Sequence, residues 1–367
     1  MKAVILVGGK GTRLYPITCD TPKAMVPILN KPFLEYQIRY LKKYGVEDII
    51  LAMGYLPEPI QNYFGDGSEF GVHIVYLVEE RPMGTAGAVK NAETLLDEPF
   101  FALNGDVLTG IDLAGMVKRH REIRPRATIA LTPVEDPTIY GVVETDANGM
   151  VKRFVEKPSS QEVTTNMINA GIYILEPEIL TRIPKSTFFM FEHDIFPSLL
   201  EEDEPISSYP SDAYWIDIGT PEKYLRLHHD LLLGEGQSSL YSQGEGSRHI
   251  RIESGSKIHP EARIEEPVLI GRNCIIAKGA CVKGPAVLGV RCEVAEGAVV
   301  EGAVIWHDSK VGKAALLKNC IVASSSCIED GCYIPSGCVV GDNVVIGEGS
   351  RLAPQTRIWP DNYFKAA

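Results

Sequence analysis

Two patterns of hydrophobic residues divide the chain into two parts. Up to about residue 230, short apolar runs alternate with amphipathic stretches, as expected of strands and helices in turn. From residue 258 onward, aliphatic residues instead recur every six positions. The first part predicts an α/β fold with a mixed, mostly parallel sheet. The second predicts a parallel β-helix built from hexapeptide repeats.

The first part contains seven predicted strands and four predicted helices. The strands are Ala3–Val7, Ile49–Met53, His73–Leu77, Phe100–Leu103, Thr128–Thr132, Gly141–Glu144 and Gly171–Leu175. Three helices are Phe33–Tyr44, Thr85–Leu96 and Leu113–Arg121. The fourth begins at the cap residue Thr220 and runs to about Leu233. Ligands of such sheets bind at the carboxyl ends of the strands.

The six-residue repeat forms two runs in different phase. The first is Ile258, Ile264, Ile270, Ile276, Val282, Leu288, Val294 and Val300, and the second is Leu316, Val322, Ile328, Ile334, Val340, Ile346, Leu352 and Ile358. Ile305 and Val311 lie in a phase between the two runs. We therefore expect the register to slip twice, around residues 306–313.

Small or β-branched residues occupy the fourth position after each aliphatic residue of the repeat. Five of the eight cysteines hold this position: Cys274, Cys292, Cys320, Cys332 and Cys338. We expect them to be small buried side chains at tight corners. Disulfides or a metal site are the alternative, although the chain has no C-x-x-C pair to support it.

Length and composition set the domain organisation and exclude some partners. A chain of 367 residues suits two domains, which we place at 1–233 and 250–367, with a linker rich in Gly, Ser and Gln at 234–249. The net charge of −12 argues against nucleic acid as a partner. No apolar run approaches the length of a membrane span, and the first is too short for a signal peptide. We expect a cytoplasmic protein that does not bind membranes.

A glycine-rich, cationic stretch follows the first predicted strand. It reads Gly8-Gly9-Lys10-Gly11-Thr12-Arg13, and Lys23 follows ten residues after Arg13. Glycines let backbone N–H groups approach anionic oxygens, and the cations supply charge, so the stretch predicts a phosphate site. It matches neither the P-loop nor the dinucleotide fingerprint. A purely structural turn is the alternative for the glycines alone.

The residues around this stretch add a resemblance to a known family. Together, G-T-R-L, P-x-T and P-K-x-M-V-P-I resemble the signature of the sugar-1-phosphate nucleotidyltransferases. The resemblance implies a Rossmann-like nucleotidyltransferase domain followed by a left-handed β-helix with three hexads per coil and about six coils. A β-helix with exposed coils commonly mediates oligomerisation, so we expect a homodimer or tetramer.

The resemblance implies a nucleotidyl transfer. The phosphate of a sugar 1-phosphate attacks the α-phosphorus of a nucleoside triphosphate, and pyrophosphate leaves. Arg13 should hold the departing pyrophosphate, and Lys23 should stabilise charge on the α-phosphate. The nucleotide-binding turn would contain Gly8, Gly9, Gly11 and Thr12.

Further segments match the same family. The resemblance makes Asp106 and Asp217 a Mg²⁺-binding pair, although an aspartate after a strand is also a common turn residue. Glu156 would hold sugar hydroxyls, and Lys157 would hold the sugar phosphate. An ion pair at a sheet edge is the alternative for these two residues. Asn169 offers a donor and an acceptor to a sugar hydroxyl, and Gly141 permits close approach of the ligand.

The base and the sugar are harder to predict. Backbone groups of Gly84 and Thr85 are placed to contact a base edge, and Glu79 stands where uridylyl- and thymidylyltransferases commonly have Gln. A carboxylate accepts the two adjacent donors of guanine, which favours GTP unless Glu79 points to solvent. The surrounding E-x-x-P-x-G-T-A-G resembles the mannose-1-phosphate guanylyltransferases, which implies mannose 1-phosphate; glucose or a heptose stays open.

Three other functions compete with guanylyl transfer. A thymidylyl- or uridylyltransferase acting on glucose 1-phosphate is the nearest alternative. A non-catalytic regulatory homologue would be expected to lose phosphate or metal residues, which are all present in this chain. A hexapeptide-repeat acyltransferase needs a basic residue at a coil interface, for which His259 and His307 are the candidates.

Overall fold

The computed structural model describes residues 1–235 and 249–365. Its residues form two compact units, Met1–Gly9 with Leu34–Trp215, and Lys10–Phe33 with Ile216–Ala367. We call the first the sheet unit and the second the β-helix unit. Most of the predicted linker, residues 236–248, lies outside the described residues. The boundaries at 233 and 250 stay a prediction about the domains.

The elements of residues 1–235 alternate as the hydrophobic pattern predicts. The strands are β1 (Ala3–Val7), β2 (Pro27–Ile28), β3 (Lys31–Pro32), β4 (Asp48–Met53), β5 (His73–Val78), β6 (Phe100–Asn104), β7 (Val107–Thr109), β8 (Ala127–Pro133), β9 (Gly141–Thr145), β10 (Val151–Glu156), β11 (Met167–Leu175), β12 (Ile206–Pro210) and β13 (Trp215–Asp217). The α-helices are α1 (Phe33–Lys43), α2 (Pro57–Phe64), α3 (Gly84–Lys90), α4 (Leu113–Ile123), α5 (Phe196–Glu201) and α6 (Pro221–Leu233).

The sheet unit is built on a mixed nine-stranded sheet. Its strands follow the order β10-β9-β11-β6-β1-β4-β5, and β8 pairs with both β11 and β12. β5, β4, β1 and β6 are parallel, whereas β11 runs antiparallel to β6, β8 and β9. The carboxyl ends of the four parallel strands therefore share one edge of the sheet, as predicted for the ligand site.

Most of the predicted elements are observed within a few residues. β1 has the predicted bounds, and α6 runs to Leu233 after its cap Thr220, whose side chain accepts from the Lys223 N–H. The predicted helix at 85–96 ends earlier, at Lys90, and only a 3₁₀ turn follows. The pattern does not predict α2, β10 or β12. In β12, the polar Ser207 and Ser208 are fully buried, which the alternation rule cannot anticipate.

The β-helix unit contains three parallel sheets with seven, seven and five strands within residues 249–365. Each strand generally pairs with the one three positions later, so one coil contributes one strand to each sheet. The seven strands of the first sheet are separated by six turns, in agreement with the expected number of coils. The strands are β14 (Ile250–Ile252), β15 (Lys257–Ile258), β16 (Arg263–Glu265), β17 (Val268–Ile270), β18 (Ile275–Ile276), β19 (Cys281–Lys283), β20 (Ala286–Leu288), β21 (Glu293–Val294), β22 (Val299–Glu301), β23 (Val304–Ile305), β24 (Lys310–Val311), β25 (Leu316–Lys318), β26 (Ile321–Val322), β27 (Cys327–Ile328), β28 (Tyr333–Ile334), β29 (Val339–Val340), β30 (Val345–Ile346), β31 (Arg357–Ile358) and β32 (Tyr363–Phe364).

The hydrophobic core of this unit corrects one position of the predicted repeat. Leu317, not Leu316, is fully buried, and it pairs with the core residues Val300 and Ile334. Core residues follow one another after five positions instead of six at two places, from Val300 to Ile305 and from Leu317 to Val322. The register therefore slips twice, as predicted, but on either side of the expected segment. Leu316 was mispredicted because it is aliphatic and matches the phase of the second run.

The five cysteines of the repeat lie in the core, as expected. Each of them is at most 1% exposed, whereas Cys19, Cys281 and Cys327 are only partly buried. The Cys292 thiol donates to the Trp306 carbonyl at 2.9 Å, and the Cys274 thiol donates to the Gly289 carbonyl at 3.0 Å. All eight cysteines are free thiols. Their role in the repeat is that of small buried side chains.

None of the helices in the described residues is both long and apolar enough to cross a membrane.

Candidate functional site

The carboxyl edge of the parallel strands brings together Gly8 and Glu79. β1 ends immediately before Gly8, and β5 ends immediately before Glu79. A β-carbon on Gly8 would lie 3.8 Å from the Glu79 Oε2 and 3.5 Å from the Gly54 nitrogen. Gly9 is exposed, and a β-carbon there would meet nothing within 4 Å. The turn thus packs Gly8 against the Glu79 carboxylate and leaves open space at Gly9.

Glu79 does not point freely into solvent. Its Oε2 accepts from the Met83 backbone N–H at 3.2 Å, and its own N–H donates to the Met53 carbonyl at 2.7 Å. Burial raises the pKa of Glu79, and the bond from Met83 offsets part of that effect. The neighbouring Glu80 is exposed. Glu79 is therefore a partly desolvated carboxylate at the carboxyl edge of the parallel strands.

Gly84 and Thr85 open helix α3 and pack against residues 187–191. Gly84 has φ +72°, and a β-carbon on it would lie 2.5 Å from the Phe189 carbonyl oxygen. Only glycine fits this position. The Thr85 hydroxyl donates to Glu192 Oε2 at 2.7 Å and accepts from the Phe191 N–H at 2.9 Å. Any contact that Thr85 makes with a base must therefore come from its backbone.

The predicted sugar-phosphate residues lie together: Gly141 begins β9, Glu156 ends β10, and Lys157 follows directly after it. Gly141 pairs directly with Glu156, and a β-carbon on Gly141 would lie 2.7 Å from the Glu156 Oε2. The glycine therefore makes room for this carboxylate. Lys157 has φ +47°, and its Nζ lies 3.8 Å from the Glu156 Oε1. Burial raises the pKa of Glu156, with a further increase from the charge of Glu192.

Asn169 lies at a bulge in β11. The pairing of β11 with β8 shifts register between Asn169 and Tyr173, and Gly171 within the bulge has φ +71°. The Asn169 Oδ1 accepts from the Gly171 N–H at 2.9 Å, and its Nδ2 donates to the Tyr173 hydroxyl at 2.7 Å. A side chain on Gly171 would collide with Asn104. The bulge thus fixes the direction of the Asn169 amide.

Glu192 is a buried carboxylate that the sequence analysis missed. It lies in a π-helical turn, Phe191–Ile195, and is 8% exposed. Its Oε1 accepts from the Tyr173 hydroxyl at 3.1 Å, and its Oε2 accepts from Thr85. The segment has no strong periodicity, so its signal would have been an acidic residue directly after an apolar run, residues 188–191.

Asp106 follows β6 after a tight glycine turn. The Gly105 N–H donates to the Leu6 carbonyl at 2.9 Å, and a β-carbon on Gly105 would lie 2.4 Å from that oxygen. The turn therefore requires glycine and places Asp106, which is partly exposed, directly after the strand. Asp106 belongs to the sheet unit, together with the residues described so far.

The other predicted phosphate residues belong to the β-helix unit. Gly11 has φ +64°, and a β-carbon on it would lie 3.1 Å from the Lys23 Cβ. The Thr18 hydroxyl donates to the Gly11 carbonyl at 2.8 Å, which fixes this close approach. Thr12 and Arg13 are exposed and lie in the 3₁₀ turn that follows. The structure thus brings Gly11, Thr12, Arg13 and Lys23 together.

Asp217 lies next to Arg13 within the same unit. A β-carbon on Gly219 would lie 2.4 Å from the Asp217 Oδ1 and 3.2 Å from the Arg13 Nη2. Asp217 is 8% exposed; its Oδ1 accepts from the Gly219 N–H at 2.9 Å, and its Oδ2 forms a short ion pair with Lys223. The sequence analysis missed Lys223, although its place on the first turn of α6 puts it near Asp217.

Residues 10–33, which we call the signature segment, are held by helix α6 and the β-helix. The Tyr224 hydroxyl donates to the Pro27 carbonyl at 2.5 Å and accepts from the Trp306 Nε1 at 2.9 Å. His228 Nε2 also contacts the Pro27 carbonyl, at 3.1 Å, and Asn30 Nδ2 donates to the Leu288 carbonyl. Burial lowers the pKa of His228 to about 3, so this ring is neutral.

The last coils hold the part of the signature segment that carries Arg13. Arg357 Nη1 donates to the Tyr15 carbonyl at 2.9 Å and to the Arg13 carbonyl at 3.4 Å. The Trp359 ring packs edge-on against Tyr15, with centroids 5.6 Å apart. These contacts engage the backbone and Tyr15, so the Arg13 guanidinium is not what anchors the segment to these coils.

The two histidines considered for acyl transfer have local partners. His307 contacts the Asp308 carboxylate through Nδ1 at 2.8 Å and the Ser324 hydroxyl through Nε2 at 3.0 Å. His259 Nδ1 accepts from the Glu261 N–H at 3.1 Å. Arg291 pairs with Asp308 and holds the pKa of that carboxyl at about 2. These partners give no specific support to acyl transfer.

The residues available for a metal are carboxylates. The described residues contain no group of three or more His, Cys, Asp or Glu side chains placed to hold a metal ion. Mg²⁺ is commonly held by only one or two carboxylates, with substrate phosphates and water completing its shell. Asp106 and Asp217 each supply carboxylate oxygens, the ligand type that Mg²⁺ prefers, and Asp217 forms an ion pair with Lys223.

Comparison with known proteins agrees with this fold. Residues 2–233 match the family model described as nucleotidyl transferase, and residues 247–352 match the EIF2B subunit epsilon LbH domain. The chain belongs to the nucleotidyl transferase family. Its second part is a left-handed β-helix, as the resemblance implied.

Two relatives and one solved structure are similar to this chain. The chain is 38% identical over 279 residues to a mannose-1-phosphate guanylyltransferase of Mycobacterium tuberculosis, covering 76% of this chain and 77% of the relative. It is 35% identical to a UTP–glucose-1-phosphate uridylyltransferase of Synechocystis, covering 90% and 89%. The crystal structure of HddC from Yersinia pseudotuberculosis complexed with GMP-PN has a TM-score of 0.54 and 33% identity, covering 62% of this chain and 97% of HddC.

We predict that Arg357→Ala exposes the signature segment to trypsin. Loss of two hydrogen bonds to the Tyr15 and Arg13 carbonyls should increase local opening, and cleavage after Arg13 should be roughly 3–10 times faster. The measurement is native-state digestion, with the fragment ending at Arg13 followed by mass spectrometry. Arg351→Ala is the matched control, because the Arg351 guanidinium instead lies over Tyr333. Equal rates in the two variants would show that Arg357 does not hold the segment.

Proposed function

We propose that this chain transfers a guanylyl group from GTP to mannose 1-phosphate, forming GDP-mannose and pyrophosphate. Membership of the nucleotidyl transferase family and relatives named mannose-1-phosphate guanylyltransferase support this class of reaction. The observation that carries the choice of base is the half-buried Glu79 carboxylate beside Gly8. The choice of mannose 1-phosphate as the sugar substrate rests on the named relatives alone.

The phosphate chemistry needs cations, because an anionic phosphate must attack an anionic triphosphate. We assign this work to Arg13 and Lys23 of the signature segment. Lys23 stabilises negative charge on the α-phosphate as the new bond forms, and Arg13 holds the departing pyrophosphate. Gly8, Gly9, Gly11 and Thr12 offer backbone N–H groups to the triphosphate. No covalent intermediate with the protein is required, so positioning and charge stabilisation supply the catalysis.

The sugar 1-phosphate is assigned to the β9, β10 and β11 side of the sheet unit. Glu156, ionised, accepts hydrogen bonds from sugar hydroxyls, and Gly141 makes room for this carboxylate. Lys157 directs the attacking phosphate. The Asn169 amide, held by Gly171 and Tyr173, has a fixed direction from which to contact a hydroxyl.

The base is assigned to Glu79 and the start of α3. Guanine presents N1–H and N2–H₂ side by side, and an ionised carboxylate accepts both. Uracil and thymine present one donor between two carbonyl oxygens, which a carboxylate repels. The solved structure of HddC, complexed with GMP-PN, shows a guanine nucleotide on a similar fold. Uridylyl transfer to glucose 1-phosphate is the second candidate, because the Synechocystis relative matches 90% of this chain.

Nucleotidyltransferases of this family generally use a divalent metal. We propose that it is Mg²⁺ and that Asp106 and Asp217 hold it, because both supply the oxygen ligands that this ion prefers. When bound, the ion would neutralise charge on the triphosphate oxygens. The homodimer or tetramer and the cytoplasmic location stay predictions from the sequence.

We predict that Lys23→Ala and Asp106→Asn each slow turnover at least about 100-fold, because removal of one preorganised group typically costs about 3–4 kcal/mol of transition-state stabilisation. Steady-state pyrophosphate release measures the rate, and circular dichroism checks that each variant is folded. Lys118→Ala removes an exposed lysine of α4 and serves as the control. Near-normal turnover in either folded variant would remove that residue from the proposed mechanism.

We predict that Glu79→Gln lowers kcat/KM for GTP roughly 10- to 100-fold and raises it for UTP, since Gln accepts one donor and donates to a carbonyl. In the native protein, kcat/KM for GTP should fall as pH drops through the raised pKa of Glu79, because the protonated carboxyl accepts poorly. That acid limb should disappear in the variant. Glu80→Gln makes the same charge change at an exposed position. Unchanged base preference in Glu79→Gln would exclude Glu79 from base recognition.

A further inference from the structure

Glu192 is a buried carboxylate for which the proposed mechanism gives no role. Its oxygens accept from two hydroxyl groups, those of Thr85 at 2.7 Å and Tyr173 at 3.1 Å. Removing a carboxylate from water costs several kcal/mol unless its partners compensate. Glutamine has a similar shape and would fill the position without a charge. A charged group kept at this depth therefore calls for an explanation in terms of what surrounds it.

The hydrogen bonds of Glu192 connect two groups of proposed substrate residues. On one side, Thr85 belongs to the segment assigned to the base. On the other, the Tyr173 hydroxyl accepts from the Asn169 Nδ2 at 2.7 Å, and Asn169 is assigned to the sugar. The chain Thr85–Glu192–Tyr173–Asn169 is thus continuous within the sheet unit. Tyr173 is fully buried, so the chain is shielded from water.

The local backbone supports the same connection. Glu192 lies in a π-helical turn, a rare conformation that often occurs at functional sites. Just before it, the Phe189 carbonyl accepts from the Ala86 and Gly87 N–H groups at 3.0 Å each. The segment that carries Glu192 is therefore tied to helix α3 through both backbone and side chain.

We propose that Glu192 is a positioning residue that fixes the base-binding segment at Thr85 relative to the sugar-binding Asn169. This inference rests on the proposed function for the identity of the two substrates. Glu192 contacts neither substrate in this account. It acts through Thr85 and through Tyr173.

The charge of Glu192 also gives the proposal a readout besides activity, at the nearby carboxyl of Glu156. The negative charge of Glu192 disfavours a second charge on Glu156, whereas Lys157 and His193 favour it. Burial of Glu156 acts in the same direction as Glu192 and is the larger cause of its raised pKa. Removing the charge of Glu192 should therefore lower the pKa of Glu156. A purely structural residue would not have this effect.

The first test measures that pKa without any substrate. The full chain, labelled at glutamate carboxyl carbons, is titrated by NMR, and Glu156→Gln assigns the Glu156 signal. Glu192→Gln should lower the pKa of Glu156, whereas Tyr173→Phe, which keeps the charge, should lower it much less. An unchanged Glu156 pKa in folded Glu192→Gln would show that Glu192 carries no charge and would overturn its charge-assisted bonds from Thr85 and Tyr173. Because no substrate is present, this outcome is independent of the proposed function.

The second test measures kinetics. Glu192→Gln should raise KM for both GTP and mannose 1-phosphate by roughly 3- to 30-fold, since both ends of the chain lose a charge-assisted bond. Tyr173→Phe should raise KM for mannose 1-phosphate more than for GTP, because it cuts only the Asn169 branch. Tyr173→Phe also tests the positioning role if Glu192→Gln does not fold. Unchanged KM values in these variants would overturn the positioning role, whereas an inactive native protein would overturn the proposed function.

Discussion

Repulsion between two phosphate groups is the constraint on which this structure depends. The chain carries a net charge of −12, so the cations of the proposed site are a local feature rather than a general property of the surface. Arg13 and Lys23 lie on the signature segment, which has little regular structure of its own. Its position comes from contacts of its backbone with Tyr224 and Arg357. The β-helix unit thus contributes directly to the phosphate chemistry that we propose.

The sheet unit contains two half-buried carboxylates, Glu79 and Glu156. Burial raises the pKa of Glu79 and of Glu156, so both are partly desolvated acceptors placed to contact neutral hydrogen-bond donors. A desolvated acceptor discriminates strongly between ligands, because an unmatched partner leaves it unpaired. Asp217, in contrast, is balanced by Lys223. The cations Arg13 and Lys23 thus lie in the β-helix unit, whereas the carboxylates that we assign to the base and the sugar lie in the sheet unit.

The periodic elements of this protein could be predicted from the sequence, because periodicity reports which side chains are buried. β1, α6 and most positions of the hexad repeat follow that rule. Leu316 does not, because a coil shortened by one residue moves the core position to Leu317 without changing the aliphatic character of either site. β12 could not be predicted, since its buried serines are stabilised by bonds to Arg119, a distant residue.

The residues of the candidate site that stand in recognisable sequence motifs could be predicted. Those that depend on tertiary contacts could not. Gly8, Lys23 and Glu156 stand in recognisable segments. Glu192 and Lys223 do not, because their importance lies in partners that only the fold brings near them. The same limit applies to Thr85, whose hydroxyl turns towards Glu192.

The most direct test of the central claim is pyrophosphate release by the full chain, with GTP, UTP, dTTP and ATP each paired with mannose 1-phosphate and glucose 1-phosphate. We expect the highest kcat/KM with GTP and mannose 1-phosphate, by at least about 10-fold over UTP, because Glu79 matches the two donors of guanine. A preference for UTP or dTTP would contradict the assignment of the base. Absence of release with every pair would contradict the proposed catalysis.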